Sequence, residues 1–298
     1  MSDFFCHTVI LLVLLKVSTP QSMVVVSGKP SSFKSSETVA ESWESCLAGC
    51  IDDDQCIVVY KNSETQCQVF LFGNVTIVEK SYSGDETGLK AIISESECPA
   101  TNPVLSGSAY SFENSDGTLY KTTVSIDSSQ NYNLNYSIIT CPNNTKLFQR
   151  ANVIVCIGLF MFDSPLCNTF QQGSALCKAA NGTLTGPANS IEYEYIQAQS
   201  KISHNTSNPS GYGYLVYWID GVGTSTKYVY TFEDPTHNGV TNYQWAAQAP
   251  GFTGTKYCLC NPNPLGLYIA DNLCSETEFG TVCWRGALCQ VPYSFESN

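Results

Sequence analysis

Basic residues are scarce in this sequence. It contains 14 Lys and Arg against 26 Asp and Glu, which gives a formal net charge of −12 at pH 7. Nucleic acids and anionic membrane surfaces both favour positive patches on a protein. The composition therefore argues against nucleic acid as a partner, and the acidity by itself indicates only a soluble chain.

Histidine is also rare, with three residues in 298. A hydrolase needs a base beside a nucleophile, but His204 lies in a polar segment and His237 in a turn. The carboxylates give no catalytic pair, because residues 52–54 form a surface run and Glu192 and Glu194 point to different sides of a helix. No glycine-rich phosphate loop follows a strand. We therefore expect no catalytic residue and no enzyme activity.

Long apolar runs are missing, apart from residues 9–15. This run is well below the roughly 20 residues that cross a bilayer, so residues 1–22 are predicted to be a signal peptide. A membrane anchor is the alternative, since the residues before the run lack Lys and Arg. No later stretch is long enough to span a membrane, so we expect no membrane insertion after signal removal.

Cysteine, in contrast, is abundant. Of the 15 cysteines, Cys6 leaves with the signal, and the even remainder in a secretory context predicts disulfides. Zinc would favour paired cysteine knuckles, but the only close pair is Cys258 and Cys260, so no metal site is expected. Five sequons fit a secreted, extracellular glycoprotein, and they begin at Asn74, Asn135, Asn143, Asn181 and Asn205.

The length suits two domains, and residues 23–98 are predicted to form the first. Residues 23–26 read as a strand that ends at the breaker 27–30. Thr38 and Glu41 have the spacing of a capping box, which predicts that a helix follows.

Trp43, Cys46 and Cys50 recur on one face of that helix, so both cysteines point into the core. Three strand-like runs follow, at residues 56–60, 67–72 and 89–93. Successive helical turns favour the pairs Cys46–Cys67 and Cys50–Cys56, although sequence alone does not fix the connectivity.

This segment resembles the PAN/apple-like module, in the nematode variety known as the CW domain. The resemblance rests on residues 43–50 (WESCLAGC), 56–60 (CIVVY) and 67–70 (CQVF). It implies an adhesion module that contacts protein or carbohydrate and has no known chemistry. A disulfide-stapled spacer is the alternative.

Residues 99–140 are rich in Ser, Asn, Thr, Gly and Asp and are predicted to be a linker. Apolar stretches such as residues 122–126 leave room for a few strands packed on either neighbour.

Residues 141–292 are predicted to form an α+β domain. Cys141 and Cys156 suit a small hairpin closed by a disulfide. Helices are predicted over residues 166–180 and 191–202, the second capped by Asn189 and Glu192. Its buried stripe is predicted to contain Ile191, Tyr195, Ala198 and Ile202.

The order of motifs in this domain resembles the C-type lectin-like fold. The motifs are Cys177 with the turn 182–184, the strand 217–221 (YWIDG), the segment 245–250, Cys258 with Cys274, and 286–289 (GALC). The resemblance implies that Trp218 is a core residue and that Cys177 pairs with Cys289 and Cys258 with Cys274. The remaining cysteines give the pairs Cys141–Cys156, Cys260–Cys283 and, by elimination, Cys98–Cys167.

Sugar-binding members of that family hold Ca²⁺ through side-chain oxygens of two loop triplets, and Ca²⁺ takes six to eight oxygens. The first triplet is here Ala249–Pro250–Gly251, which offers none, although Pro250 can keep the bend as a cis peptide. The second is 269–271, which retains only Asp271, with Asn272 beside it. We therefore expect no calcium cofactor bound in the usual manner.

The candidate ligand-binding residues lie around this loop and are Tyr243, Trp245, Gln248, Asp271 and Asn272. Aromatic faces stack on sugars or anchor protein contacts, and a loop core is the alternative for these rings. Residues 233–235 are interpreted as a solvated turn. The resemblance implies a secreted recognition protein of host defence (innate immunity) that binds carbohydrate or glycoprotein without the usual calcium site. The alternative is a non-sugar adhesion or matrix protein with a protein ligand.

Overall fold

The computed structural model describes residues 21–92, 109–151, 153–206, 208, 211–237, 239–240, 243–261 and 268–298. The chain divides into unit 1, residues 1–139 with 295–298, and unit 2, residues 140–294. The predicted signal peptide, apart from its last two residues, and Cys98 lie outside the described residues. No helix in the described part is long and apolar enough to cross a membrane.

Unit 1 is one helix on a ten-stranded sheet, as far as its described residues show. The sheet order is β2-β4-β3-β6-β1-β5-β9-β8-β7, with β19 also paired to β9. The elements are β1 (Gln21–Phe33), β2 (Glu37–Val39), α1 (Trp43–Asp52), β3 (Cys56–Ser63), β4 (Gln66–Leu71), β5 (Val75–Lys80), β6 (Glu86–Ile92), β7 (Ala109–Glu113), β8 (Leu119–Ile126), β9 (Tyr132–Thr140) and β19 (Ser294–Ser297).

Strand β1 is longer than predicted, because it does not end at residues 27–30. Its first half pairs with β6 and its second half with β5, and the partner changes at Gly28. A Cβ at Gly28 would lie 2.8 Å from a methyl carbon of Val78 and 3.0 Å from the carbonyl oxygen of Glu79. Glycine therefore lets the two strands approach where a breaker was expected.

Helix α1 starts four residues later than the expected capping box. Ser42 is the N-cap, and its hydroxyl accepts a hydrogen bond from the Ser45 N–H at 3.2 Å, whereas Thr38 lies in β2. Trp43 is buried together with the helix cysteines, which form the disulfides Cys46–Cys67 and Cys50–Cys56. These are the two pairs that the helical spacing favoured.

The expected linker at residues 99–140 is wrong for residues 109–140, which form β7, β8 and β9. Alternate side chains of these strands are buried, among them Tyr110, Phe112 and Leu134. The ring of Phe112 stacks on Tyr120 at 4.9 Å between centroids. Alternation of apolar and polar residues determines this structure, although turn-forming residues dominate the composition.

The described residues of unit 2 form two helices and one nine-stranded sheet. Six strands follow the order β10-β11-β18-β13-β15-β16, and three short strands pair with members of this row. The elements are β10 (Lys146–Arg150), β11 (Val153–Met161), α2 (Phe170–Ala179), β12 (Thr183–Leu184), α3 (Ser190–Thr206), β13 (Tyr214–Gly223), β14 (Tyr230–Thr231), β15 (Tyr257–Asn261), β16 (Ala270–Leu273), β17 (Glu278–Phe279) and β18 (Val282–Val291). Trp218 on β13 is fully buried and donates from Nε1 to the Asn168 carbonyl at 2.8 Å.

Helix α3 has the predicted cap but not the predicted buried stripe. The Glu192 N–H donates to the Asn189 side chain at 3.0 Å. However, Ile191 is 63% and Ile202 is 54% exposed. The face of α3 that turns inward therefore differs from the predicted one, because the Glu192 carboxylate forms a buried ion pair with Arg150. The buried residues of α3 are Glu192, Tyr193, Ile196, Ser200 and Ser203.

Four disulfides cross-link unit 2, and three of them are the expected pairs Cys141–Cys156, Cys177–Cys289 and Cys258–Cys274. The expected pairs Cys260–Cys283 and Cys98–Cys167 are wrong, because Cys167 bonds to Cys283. Strand β13 lies between β15 and β18, where Cys260 is opposite Trp218 and Cys283 is opposite Leu215. Two strand spacings and a three-residue offset put these cysteines more than about 10 Å apart, beyond the reach of a disulfide. Cys260 is a free, buried thiol, and burial raises its pKa to about 12.

Mass spectrometry of peptides from the unreduced protein tests this pairing. We expect the peptide that contains Cys167 to be linked to the peptide that contains Cys283. In a Cys283→Ser variant, Cys167 is a free thiol, and because it is buried, it should be alkylated once the unreduced protein is denatured. A peptide that links Cys260 to Cys283 would contradict the strand order of unit 2.

Candidate functional site

Four aromatic rings meet near the end of β13 in unit 2. The indole of Trp245 stacks on Tyr230 at 6.0 Å between ring centroids, and it meets Tyr228 and Tyr243 edge to face at 5.7 and 5.9 Å. A backbone bridge to Ile269 fixes the position of Trp245. The exposure of these rings increases from the interior outward, since Tyr243 is 7% exposed and Tyr228 is 49% exposed.

A second ring pair lies on the neighbouring loop. Phe252 stacks on Tyr257 with centroids 4.5 Å apart and planes 7° from parallel, and Phe252 is 51% exposed. The Gly254 N–H donates to the Thr224 carbonyl at 2.6 Å, which joins this loop to the loop that carries Tyr228. We call Tyr228, Trp245, Phe252 and Tyr257 the loop surface.

The Asp271 side chain holds this loop by hydrogen bonds to the loop's backbone. The carboxylate is buried, and its two oxygens accept hydrogen bonds from the N–H groups of Gly251 and Phe252, each at 2.8 Å. These residues follow the cis peptide bond between Ala249 and Pro250. The two oxygens are therefore engaged in shaping the loop, and Asp271 is a positioning residue.

The other candidate ligand residues divide into interior and surface positions. Tyr243 is buried, and Asn272 is half-buried and donates to the sulfur of Cys260 at 3.3 Å. Trp245 is half-buried, and Gln248 is exposed with a positive φ of 70°. Of these five residues, Gln248 is thus the most exposed to solvent, and Tyr243 and Asp271 are buried. Within the described ranges, no group of three or more His, Cys, Asp or Glu could hold a metal ion.

A buried ion network lies beneath the loop surface, centred on Arg150 at the end of β10. Its guanidinium donates to both carboxylate oxygens of Glu192, at 3.0 and 2.7 Å, and to Asp234 at 2.8 Å. The Gly186 carbonyl accepts a further bond at 2.6 Å, and the Thr185 hydroxyl accepts another at 3.1 Å. The side chains of Arg150, Glu192 and Asp234 are at most 2% exposed.

Residues 233–235 were expected to be a solvated turn, and this is wrong for Asp234, which is 2% exposed. Its backbone N–H and that of Glu233 donate to the Asp220 carboxylate, at 2.7 and 3.0 Å. Burial raises the pKa of Asp220 to about 6 despite these two donors. The bidentate pair with Glu192 leaves N–H donors on the buried guanidinium, and the Asp234 carboxylate satisfies one of them by accepting from Nη1.

His237 connects the network to the aromatic rings. Its ring stacks on Phe232 at 4.4 Å, and Nδ1 accepts from the Gly239 N–H at 3.1 Å. The neutral ring therefore carries its proton on Nε2, which donates to the Tyr243 hydroxyl. A Cβ at Gly186 would collide with both the Tyr243 hydroxyl and the His237 ring, so only glycine allows this contact.

Sequence reasoning missed Arg150, Thr185 and Asp234 as parts of the site. The five groups around the guanidinium come from separated segments of the chain, and no local spacing connects them. One signal was available: an Asn189–Glu192 cap places a carboxylate at the start of α3, where a buried partner could use it.

Residues 23–91, in unit 1, match the family model described as a PAN-like domain. Unit 2 contains the disulfides Cys177–Cys289 and Cys258–Cys274, which the C-type lectin-like resemblance implied. The family match itself is limited to residues 23–91. No curated protein matches its sequence significantly.

Several solved structures are similar to about half of the chain. Human lithostathine has 15% identity and a TM-score of 0.37, covering 51% of this chain and 90% of its own. A calcium-independent type II antifreeze protein has 15% identity and a TM-score of 0.37, and the match covers 52% of this chain and 97% of that protein. The carbohydrate-recognition domain of mouse scavenger receptor C-type lectin has 16% identity and a TM-score of 0.34, covering 50% and 96%.

The position of His237 predicts acid sensitivity of unit 2. Burial, with the nearby Arg150 charge, lowers the pKa of His237 to about 4. As the pH falls from about 6.5 to about 4, His237 takes up a proton in the unfolded chain but not in the folded chain. Acidification over this range therefore lowers the free energy of unfolding. Asp220 acts in the opposite direction, because its pKa is raised.

Comparison of the wild type with His237→Gln separates the two groups, since Asp220 is present in both. Thermal unfolding should be followed by circular dichroism across this pH range. We expect the melting temperature of the wild type, minus that of the variant, to decrease steadily with acidification. A difference that stays constant over the range would show that His237 titrates normally in the folded protein.

Proposed function

We propose that this chain is a secreted recognition protein whose C-type lectin-like domain binds carbohydrate or glycoprotein without calcium, and that it is a binding protein rather than an enzyme. One observation carries the proposal. The loop that would hold Ca²⁺ is shaped instead by the two Asp271 hydrogen bonds, while two rings of the loop surface, Tyr228 and Phe252, remain exposed to solvent.

The chemistry of the loop surface supports a sugar ligand. A sugar ring presents C–H groups on one face, and these pack on aromatic faces such as Tyr228 and Phe252. Gln248 is exposed and lies between Trp245 and Phe252 in the chain, so it supplies a polar group that a hydroxyl-rich ligand can use. The half-buried indole of Trp245 gives the surface a rigid floor, because it contacts three other rings.

The covalent features support secretion. Six disulfides are present among the described residues, and such a number persists in oxidising compartments. The sequon asparagines at positions 135, 143, 181 and 205 are exposed and Asn74 is half-buried, so a glycosylating enzyme can reach most of them. We propose that residues 1–22 are the signal peptide.

Binding of the full-length secreted chain to a glycan array, with calcium and then with excess chelator, tests the proposal. We expect glycan binding that chelation leaves unchanged. The variants Tyr228→Ala and Phe252→Ala should each weaken binding about tenfold, since stacking contacts of this kind contribute roughly 1 kcal/mol or more. Phe279→Ala is the matched control, because Phe279 is a 73% exposed ring elsewhere in unit 2.

Two outcomes contradict the proposal. Loss of binding on chelation would mean that calcium holds the ligand. Absence of any glycan binding, with a protein ligand that still depends on Tyr228 and Phe252, would assign the loop surface to protein adhesion instead.

A further inference from the structure

Unit 1 contains a groove that the function proposed for unit 2 does not use. It lies between α1 and strands β2 and β4, and its volume is about 240 Å³. Strand β2 is at the end of the sheet order, and α1 packs mainly against β3. The groove is therefore the part of this sheet face that the helix leaves open.

The floor of the groove is apolar. Val39 and Val69 come from neighbouring strands, Leu71 from the end of β4, and the disulfides Cys46–Cys67 and Cys50–Cys56 close it below. Both disulfides tie α1 to the sheet, so the floor is rigid. A ligand with an apolar stem can cover this surface without a rearrangement of the unit.

Gly49 is in the middle of α1 and faces this space. A Cβ at Gly49 would have no heavy atom within 4 Å, so packing does not require glycine at this position. Glycine inside a helix costs roughly 0.5–1 kcal/mol relative to alanine. Gly49 thus keeps the groove wide, and it does so at a measurable cost in the stability of α1.

Carboxylates surround the opening. Glu37, Glu41 and Asp53 line the groove and are exposed, and none of the three forms an ion pair with any described residue. The nearest buried cation is Lys90, whose ammonium donates to the carbonyls of Cys50 and Asp53, each at 2.8 Å. A single ammonium near Asp53 does not balance the three carboxylates, so the opening is negative.

We propose that this groove binds a lysine or arginine side chain of a partner protein. Such side chains place an apolar stem along apolar surface while the charged end stays at the rim. Here the stem lies on Val39 and Val69, and the cation meets Glu37, Glu41 and Asp53 in charge-assisted hydrogen bonds. The chain's net charge of −12 adds attraction over a longer range.

The affinity of the full chain for a fluorescent, acetylated and amidated tetralysine peptide tests the proposal, with tetraglutamine as the uncharged probe. The salt concentration should be about 0.15 M, so that charges more than about 8 Å apart are largely screened. Gly49→Arg should weaken tetralysine binding at least about tenfold, because the new side chain occupies the groove itself. Gly49→Ala is the matched control, which strengthens the helix and leaves the groove open.

Neutralisation of the rim separates the groove from general charge attraction. The triple variant Glu37→Gln, Glu41→Gln, Asp53→Asn should weaken binding about tenfold. The control triple Glu79→Gln, Glu113→Gln, Glu296→Gln changes the net charge equally at exposed positions of unit 1 and should bind as the wild type does. Equal weakening by both triples, or wild-type binding by Gly49→Arg, would overturn the proposal. Glycan binding by unit 2 is measured separately, so either proposal can fail alone.

Discussion

The guanidinium of Arg150 is a full positive charge inside unit 2, and the fold of that unit depends on how the charge is compensated. Two carboxylates, two hydroxyls and a carbonyl surround it. These groups come from the turn after β12, the first turn of α3 and the segment after β14, and Arg150 itself is on β10. Removal of one partner from a buried ion pair costs roughly 3–5 kcal/mol, because the remaining charge stays buried. The network therefore fixes the register of four segments at once.

The loop surface rests on this network. Asp234 is followed closely by His237, which donates to Tyr243, and Tyr243 packs against Trp245. On the other side, Asp271 fixes Gly251 and Phe252. In this way two carboxylates of the chain, Asp234 and Asp271, shape the loop. The ion-free binding surface that we propose rests on these contacts.

Local patterns predicted much of the fold. The helical spacing of Cys46 and Cys50 indicated two disulfides, and the Asn189–Glu192 pair marked the start of α3. Alternation of apolar residues in β7 to β9 was visible, but a composition rich in turn-forming residues outweighed it. The family resemblance placed Trp218 in the core.

The remainder depended on contacts between distant segments. Three residues of the predicted α3 stripe, Ile191, Ala198 and Ile202, are exposed, because the side of the helix that carries Glu192 turns inward to the ion pair with Arg150. The partner of Cys283 depended on β13 lying between it and Cys260. Asp234 looked solvated because its partner is 84 residues away in the chain. For the candidate site, the sequence drew attention to Trp245 but gave no indication of the Arg150 network beneath it.

Hydrogen–deuterium exchange of the backbone amides in residues 243–257 tests the central claim most directly. Exchange should be measured in the wild type with calcium and with chelator, and in Asp234→Asn. The account predicts the same protection with calcium and with chelator, and faster exchange in Asp234→Asn. Faster exchange on chelation, with unchanged protection in Asp234→Asn, would show that an ion rather than the Arg150 network holds the loop.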